Sequence, residues 1–341
     1  MPRKKKTDED SDDEGSSKKI YDEFDIRRLS HVGPATFEKL EASGITTVFD
    51  VVIRGSRELL DLAQIPSAYL DDIIQRSYDI VMKSGLTRSR TMDMFALEQY
   101  KKLLPKIKIH SNNIDNLLKG GFERESLIEL YGENGSGKTQ TCFTLAIEAI
   151  EQFDTDVIWI DVEDTLEPCR LLEIATSRGY APNEEEAKKK FFPHIIHRTC
   201  PNTDIIMVEV NNLSKLMLER KPKLLILDGV TGQFRAEYLG RGTLSGRQQN
   251  LNRFLHILTN LAFFFSCCVV YTNQVQADPS LPSFMDPLKP IGGNIVGHAS
   301  KVRLNMKKRG SKRVLKLEKS SKHAIEEVYF AITEKGIVDP E

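Results

Sequence analysis

The chain lacks any run of about 18 consecutive apolar residues, so no membrane span is expected. Its longest apolar tract, Leu261 to Tyr271, is broken by Ser266 and reads as a buried helix end followed by a strand. It also lacks net charge: 48 Lys and Arg stand against 49 Asp and Glu in 341 residues. That balance leaves open a polyanionic partner, because local patches matter more than the sum. Cysteines are few and odd in number: Cys142, Cys169, Cys200, Cys267 and Cys268. None has the spacing of a metal site, so reduced, mostly buried thiols of a cytosolic protein are expected. The opening Pro2-Arg3-Lys4-Lys5-Lys6 is followed by acids and not by an apolar core, which argues against a secretory leader.

What is present is a complete phosphate-binding pattern, Gly132-Glu133-Asn134-Gly135-Ser136-Gly137-Lys138-Thr139. It follows the apolar run Leu127, Ile128, Leu130, Tyr131 and opens a helix-like stretch from Gln140 to Glu151. That strand, loop and helix context separates a nucleotide site from a chance glycine-rich turn. Glycines let backbone N–H groups close on phosphate oxygens, and the helix N-terminus adds positive partial charge. In this chemistry Lys138 reaches the β- and γ-phosphates, and Thr139 offers its hydroxyl to Mg²⁺.

Residues 1–19 combine a basic cluster with an acidic, Ser- and Gly-containing stretch that cannot bury apolar area, so a disordered tail is expected. Its lysines fit DNA phosphates, a nuclear address, or nothing beyond solubility. Residues 20–84 read as a small all-α domain. Leu29 to Phe37 turns at Gly33-Pro34, a helix runs on to Gly44, and a weaker copy runs from Leu59 through Ile65-Pro66-Ser67 to Val81. Residues 85–105 read as a linker. From 106 to 341, apolar strand candidates alternate with helix-period segments, as in a mostly parallel sheet covered on both faces.

Four apolar runs of that large domain end in polar residues. Leu127–Tyr131 leads into the phosphate loop. Val157–Ile160 leads to Asp161, Glu163 and Asp164; Leu224–Leu227 ends at Asp228; Cys267–Tyr271 ends at Thr272-Asn273-Gln274. Ligands of parallel α/β sheets sit beyond the carboxyl ends of the strands, so Lys138, Thr139, Glu163, Asp228 and Gln274 are expected around one nucleotide. Asp228 is the carboxylate for Mg²⁺, directly or through water. Glu163 is the general base or water-orienting group, with a helix-capping carboxylate as the alternative. Gln274 is placed to sense the γ-phosphate, a plain strand-end amide being the alternative.

Several longer stretches resemble the RecA/RadA recombinase family, on its archaeal branch: Gly132 to Gln140, Phe234 to Gln249, Thr272 to Ala277, Pro290 to Ser300, and Ile332 to Ile337. The helical region at 20–84 is similar to a helix-hairpin-helix fold, whose hairpin N–H groups grip a DNA phosphate; His31 stands where that hairpin usually has its first glycine. The resemblance implies a RecA-like P-loop ATPase core that uses ATP and Mg²⁺ in a soluble, nucleoid-associated protein of the archaeal cytoplasm. It implies a homo-oligomeric filament or ring on single-stranded DNA that exchanges strands with double-stranded DNA. It assigns Arg235, Arg241 and Arg247 to a first DNA loop and Gly292 and Gly293 to the end of a second, spanning 276–293. Gln140 belongs to the phosphate loop and Arg170 to the adenine side. His298 and Lys319 fall where the family caps a neighbour's nucleotide, and Phe95 falls near its polymerisation element.

Some positions depart from that pattern. Glu167 stands at an arginine position, Lys319 and Ala324 replace an aspartate and a proline, and the spacing around Phe95 differs. A divergent paralogue that binds ATP and DNA while assisting another recombinase is therefore the alternative function.

Overall fold

A computed structural model describes residues 22–30, 32–88, 91–237, 244–277, 288–310 and 312–341. The tail at 1–19 and His31 lie outside them. The chain divides into one unit of Met1–Arg90 with Asn211–Lys221, and another of Thr91–Val210 with Pro222–Glu341.

In the smaller unit, helices run Pro34–Ala42, Val48–Arg54, Ser56–Ala63 and Ser67–Lys83. Local chemistry sets their ends. Gly33 precedes Pro34 at the first helical position, where a missing N–H costs nothing. Thr47 and Asp50 form a reciprocal capping box for the second helix. Ile26, Leu40, Phe49, Leu59 and Val81 are buried together, and Phe24 meets Phe49 edge-on at 5.1 Å between ring centroids. The stretch read as a linker contains a further helix, Met94–Leu103, started by the Asp93 carboxylate accepting from the Ala96 amide at 2.7 Å.

The larger unit is built on a nine-stranded sheet. Its strands are β1 (Ser126–Gly132), β2 (Val157–Asp161), β3 (Ile195–Thr199), β4 (Leu224–Asp228), β5 (Cys268–Asn273), β6 (Val302–Arg309), β7 (Lys312–Lys319), β8 (Glu327–Thr333) and β9 (Gly336–Val338). Across the sheet they lie β9-β8-β7-β6-β1-β5-β4-β2-β3. Pairing is parallel from β6 to β3 and antiparallel from β6 out to β9.

β1, β2, β4 and β5 are buried along their whole length, which is why they read as unbroken apolar runs. Helix Lys138–Phe153 packs on them, with Phe143 stacked 5.2 Å from Trp159. The tract from Leu261 ends helix Leu244–Phe264, turns at Ser266 (φ 49°) and enters β5. Register then aligns the carboxyl ends: Asp161 lies opposite Asp228, and Tyr131 opposite Asn273. Among the described residues, no helix is long and apolar enough to cross a membrane.

Candidate functional site

The aligned strand ends open on a cavity of about 630 Å³ that gathers residues from across the sheet. The phosphate loop supplies Asn134, Gly135, Gly137, Lys138, Thr139 and Gln140; Glu163, Arg170, Asp228 and Gln274 face the same space. The Lys138 ammonium donates to the carbonyls of Gly132 (2.9 Å) and Glu133 (3.0 Å) and so folds over its own loop. Burial lowers its pKa, while the nearby Asp228 and Glu163 charges oppose that shift. Ser136 Oγ, inside the loop, is buried without a hydrogen-bond partner.

Asp228 is 3% exposed at the end of β4. One oxygen accepts from Thr272 Oγ1 at 2.5 Å and the other from Thr165 Oγ1 at 3.3 Å; Thr139 lines the same cavity. Burial nevertheless raises its pKa, the hydroxyls offsetting part of the shift. Thr272 Oγ1 also accepts the Gly229 amide at 2.8 Å, locking the turn after β4.

Glu163 stands across the cavity, on the loop after β2. Gln274 Nε2 donates to its Oε1 at 2.7 Å. Partial burial raises the Glu163 pKa, the Asp228 charge raises it further, and the Gln274 hydrogen bond pulls it back. Gly229 makes room for this carboxylate. A Cβ there would lie 2.5 Å from Glu163 Cγ, and the residue has φ +85°. The Glu163 loop is shaped by Asp161, whose buried carboxylate accepts the Thr165 amide at 3.1 Å and the Leu166 amide at 2.8 Å.

Arg170 forms a side wall. Its guanidinium donates to Gln140 Oε1 at 2.8 Å and to the Thr333 carbonyl at 2.5 Å, and pairs with Glu173. Arg313, on β7, also lines the cavity and donates to the Gly135 carbonyl at 3.3 Å. From the sequence Asp161 and Thr272 are strand-end polar residues without an assigned role, and Gly229 and Arg313 carry no signal. The first three sit at the ends of strands already recognised; Arg313 lies in an antiparallel hairpin with no motif to mark it.

The other residues singled out are dispersed. Arg235 lies on helix Val230–Glu237 and Arg247 on helix Leu244–Phe264, while Arg241 lies outside the described residues. Gly292 and Gly293 open helix Gly293–Ala299, and a Cβ on Gly292 would come 2.2 Å from Val296 Cγ2, so packing alone demands glycine there. His298 and Lys319 meet at the far end of this helix. The Lys319 ammonium donates to the carbonyls of Gly297 (2.8 Å) and His298 (3.0 Å), as a cation at a helix C-terminus does. Phe95 is 83% exposed on helix Met94–Leu103, away from the cavity-lining set.

The β3-to-β6 parallel sheet, the phosphate loop after its central strand and the acidic and amide strand ends define a RecA-like P-loop core. Comparison with known proteins sharpens the class. The family model described as Rad51 matches residues 100–340. The chain is 35% identical over 324 residues to the DNA repair and recombination protein RadA of Cenarchaeum symbiosum (strain A), covering 93% of this chain and 80% of that relative. The chain belongs to the Rad51 family of RecA/RadA proteins.

Proposed function

We propose that this protein is a DNA-dependent ATPase that assembles on single-stranded DNA and pairs it with a homologous duplex. The observation that carries the reading is a shared strand end. Gln274 gives its side chain to Glu163 in the cavity, while its backbone carbonyl accepts the Ile291 amide at 3.0 Å. Asn273 beside it donates to the Ile291 carbonyl at 2.9 Å and to the buried Glu129 at 2.6 Å. Ile291 directly precedes the Gly292-Gly293 end of the stretch assigned to a DNA loop. A group that senses the nucleotide is thus bonded to the base of a segment that would touch DNA.

The residues suit ATP and Mg²⁺. Lys138 and the loop amides would hold the phosphate oxygens, Thr139 and Asp228 would supply hard oxygens to the metal, and Ser136 keeps an unused hydroxyl within the loop. Bound Mg·ATP supplies the phosphoanhydride that is cleaved. Glu163 orients or deprotonates the attacking water, and burial beside Asp228 raises its pKa, making its carboxylate a stronger base. Gln274 holds Glu163 in place, and Arg170 walls the base side.

Two surfaces support self-association. The outer edge of β3 has no partner strand among the described residues, which leaves backbone groups open to strand addition. Phe95, and Val208 at 53% exposure, are apolar groups available to another copy. His298 and Lys319 would then approach a neighbour's nucleotide.

The test is ATP hydrolysis with and without single-stranded DNA, run beside a strand-pairing assay with the purified protein alone. Stimulated hydrolysis with pairing supports the recombinase. DNA and ATP binding without pairing would instead support the mediator reading, which Glu167 and Lys319 favour because both sit at nucleotide-side positions. Arg241→Ala is expected to weaken DNA binding about 10-fold and flatten its salt dependence, with basal hydrolysis nearly intact. Equal loss of both activities would point to folding damage.

A further inference from the structure

The opposite end of the sheet carries a second surface. Glu123 lies just before β1, Lys301 just before β6, and Lys322 just after the antiparallel β7, so all three cluster where the parallel strands begin. Here a groove of about 680 Å³ runs beside helix Met94–Leu103. Met94, Leu97, Glu98, Lys101 and Lys102 line it at helical spacing i, i+3, i+4, i+7 and i+8, a single stripe of that helix. Met94, Leu97 and Leu104 make its floor apolar, and Met94 is 75% exposed. Its rim is cationic: Lys101, Lys102, Lys106, Lys108, Lys119 and Lys322.

Internal partners cover only part of that charge. Glu98 holds Lys102 at 2.7 Å, and the buried Glu123 accepts from Lys322 at 2.5 and 2.7 Å. Lys106 donates to the Lys119 carbonyl at 2.7 Å and to the Leu118 carbonyl at 3.5 Å, neutral acceptors that leave its charge uncompensated. Lys101 and Lys108 are exposed, and their ammonium groups hold no bond or ion pair among the described residues. The crowding is felt locally. Burial lowers the His323 pKa, and the Lys119, Lys106 and Lys322 charges lower it further.

We propose that this groove docks an acidic, amphipathic peptide segment of a partner protein, its apolar stripe on Met94, Leu97 and Leu104 and its carboxylates on the lysine rim. The helix-in-groove mode needs both an apolar floor and flanking charge, and both are present. A polynucleotide fits less well: among the described residues no aromatic ring lines the groove for a base to stack on. The proposal does not depend on the nucleotide reading.

The test uses the full chain and a labelled synthetic helix about five turns long, with leucine at helical spacing and glutamate elsewhere, read by fluorescence anisotropy. A scrambled peptide of equal composition and a labelled single-stranded oligonucleotide run beside it. Wild-type protein should bind the patterned peptide at least about 5-fold tighter than the scrambled one. Lys101→Glu with Lys108→Glu should weaken patterned-peptide binding about 10-fold, and Met94→Ser about 5-fold. Oligonucleotide affinity, Mg·ATP turnover and the thermal transition should not move. Equal binding of both peptides, no binding of either, or an unchanged affinity in the lysine variant would overturn the proposal. So would a lysine variant that loses oligonucleotide in place of peptide, which would make the groove a nucleic-acid surface.

Discussion

The two ends of one sheet handle charge in opposite ways. At the carboxyl ends, the charged groups lining the cavity have partners: Asp228 with Thr272 and Thr165, Glu163 with Gln274, Lys138 with loop carbonyls, Arg170 with Gln140, Arg313 with the Gly135 carbonyl. At the amino ends, lysines gather round one satisfied carboxylate, Glu123, and the excess faces solvent. The first arrangement holds groups in fixed positions, as an active site needs, because preorganised dipoles do not have to reorient during reaction. The second makes a field rather than a geometry, which attracts a partner without specifying an atom.

Changes at the held end should therefore cost turnover, and changes at the crowded end should cost only stability or recruitment. The largest effect is expected for Lys138→Arg, where the wider guanidinium keeps the charge and loses its place. ATP binding should persist while kcat falls about 1,000-fold, measured by steady-state hydrolysis beside nucleotide titration. Unchanged turnover would mean the cavity is not the reaction site. Gly229→Ala comes next: the added methyl would displace Glu163, and kcat should fall about 100-fold with ATP affinity little altered.

A pH profile sharpens the same end. The Glu163 carboxyl titrates above its ordinary range, and its base form is lost as pH falls, so the acid limb of kcat should lie above that range. Gln274→Ala removes a hydrogen bond that favours the carboxylate, so the limb should move to higher pH. A limb that stays put would dissociate Gln274 from the base.

The smallest effect belongs to the crowded end. Burial alone would raise the Glu123 pKa, but Lys322, Lys301 and Lys106 more than reverse it, leaving it lowered. A lowered carboxylate pKa adds stability above the unfolded value, and that stability is lost as pH falls through the folded value. Lys322→Ala should thus cost about 1 kcal/mol at neutral pH, a difference that shrinks in acid, with kcat unchanged. Denaturant titration at two pH values checks it. A deficit that persists undiminished in acid would show that Lys322 acts through packing.

What could be read in advance divides along the same line. The phosphate loop and strands β1, β2, β4 and β5 were legible because a strand covered on both faces is written as a continuous apolar run, with its functional residue at the end. β3 was not, because Ile195-Ile196-His197-Arg198-Thr199 is an edge strand with a half-open face and mixes apolar with charged residues. The hairpins β6 to β9 lack such unbroken runs: in Val302-Arg303-Leu304-Asn305-Met306 apolar residues alternate with polar ones, the pattern of a strand with one open face, and no motif residue stands at its end. With them went Arg313, which enters the cavity only because β7 folds back beside β6. The lysine groove left no local trace either: its members are spread from Met94 to Lys322 and meet only in three dimensions.

Gly229 directly follows Asp228 in the chain, and the volume it leaves unfilled is the volume Glu163 occupies. Asp228 and Glu163, the acids proposed for the metal and for the water, are therefore mechanically one part. A lineage cannot retune the backbone behind one without moving the other, so drift at this turn should preserve both acids or abolish hydrolysis in one step, leaving a protein that still grips its nucleotide but no longer keeps time.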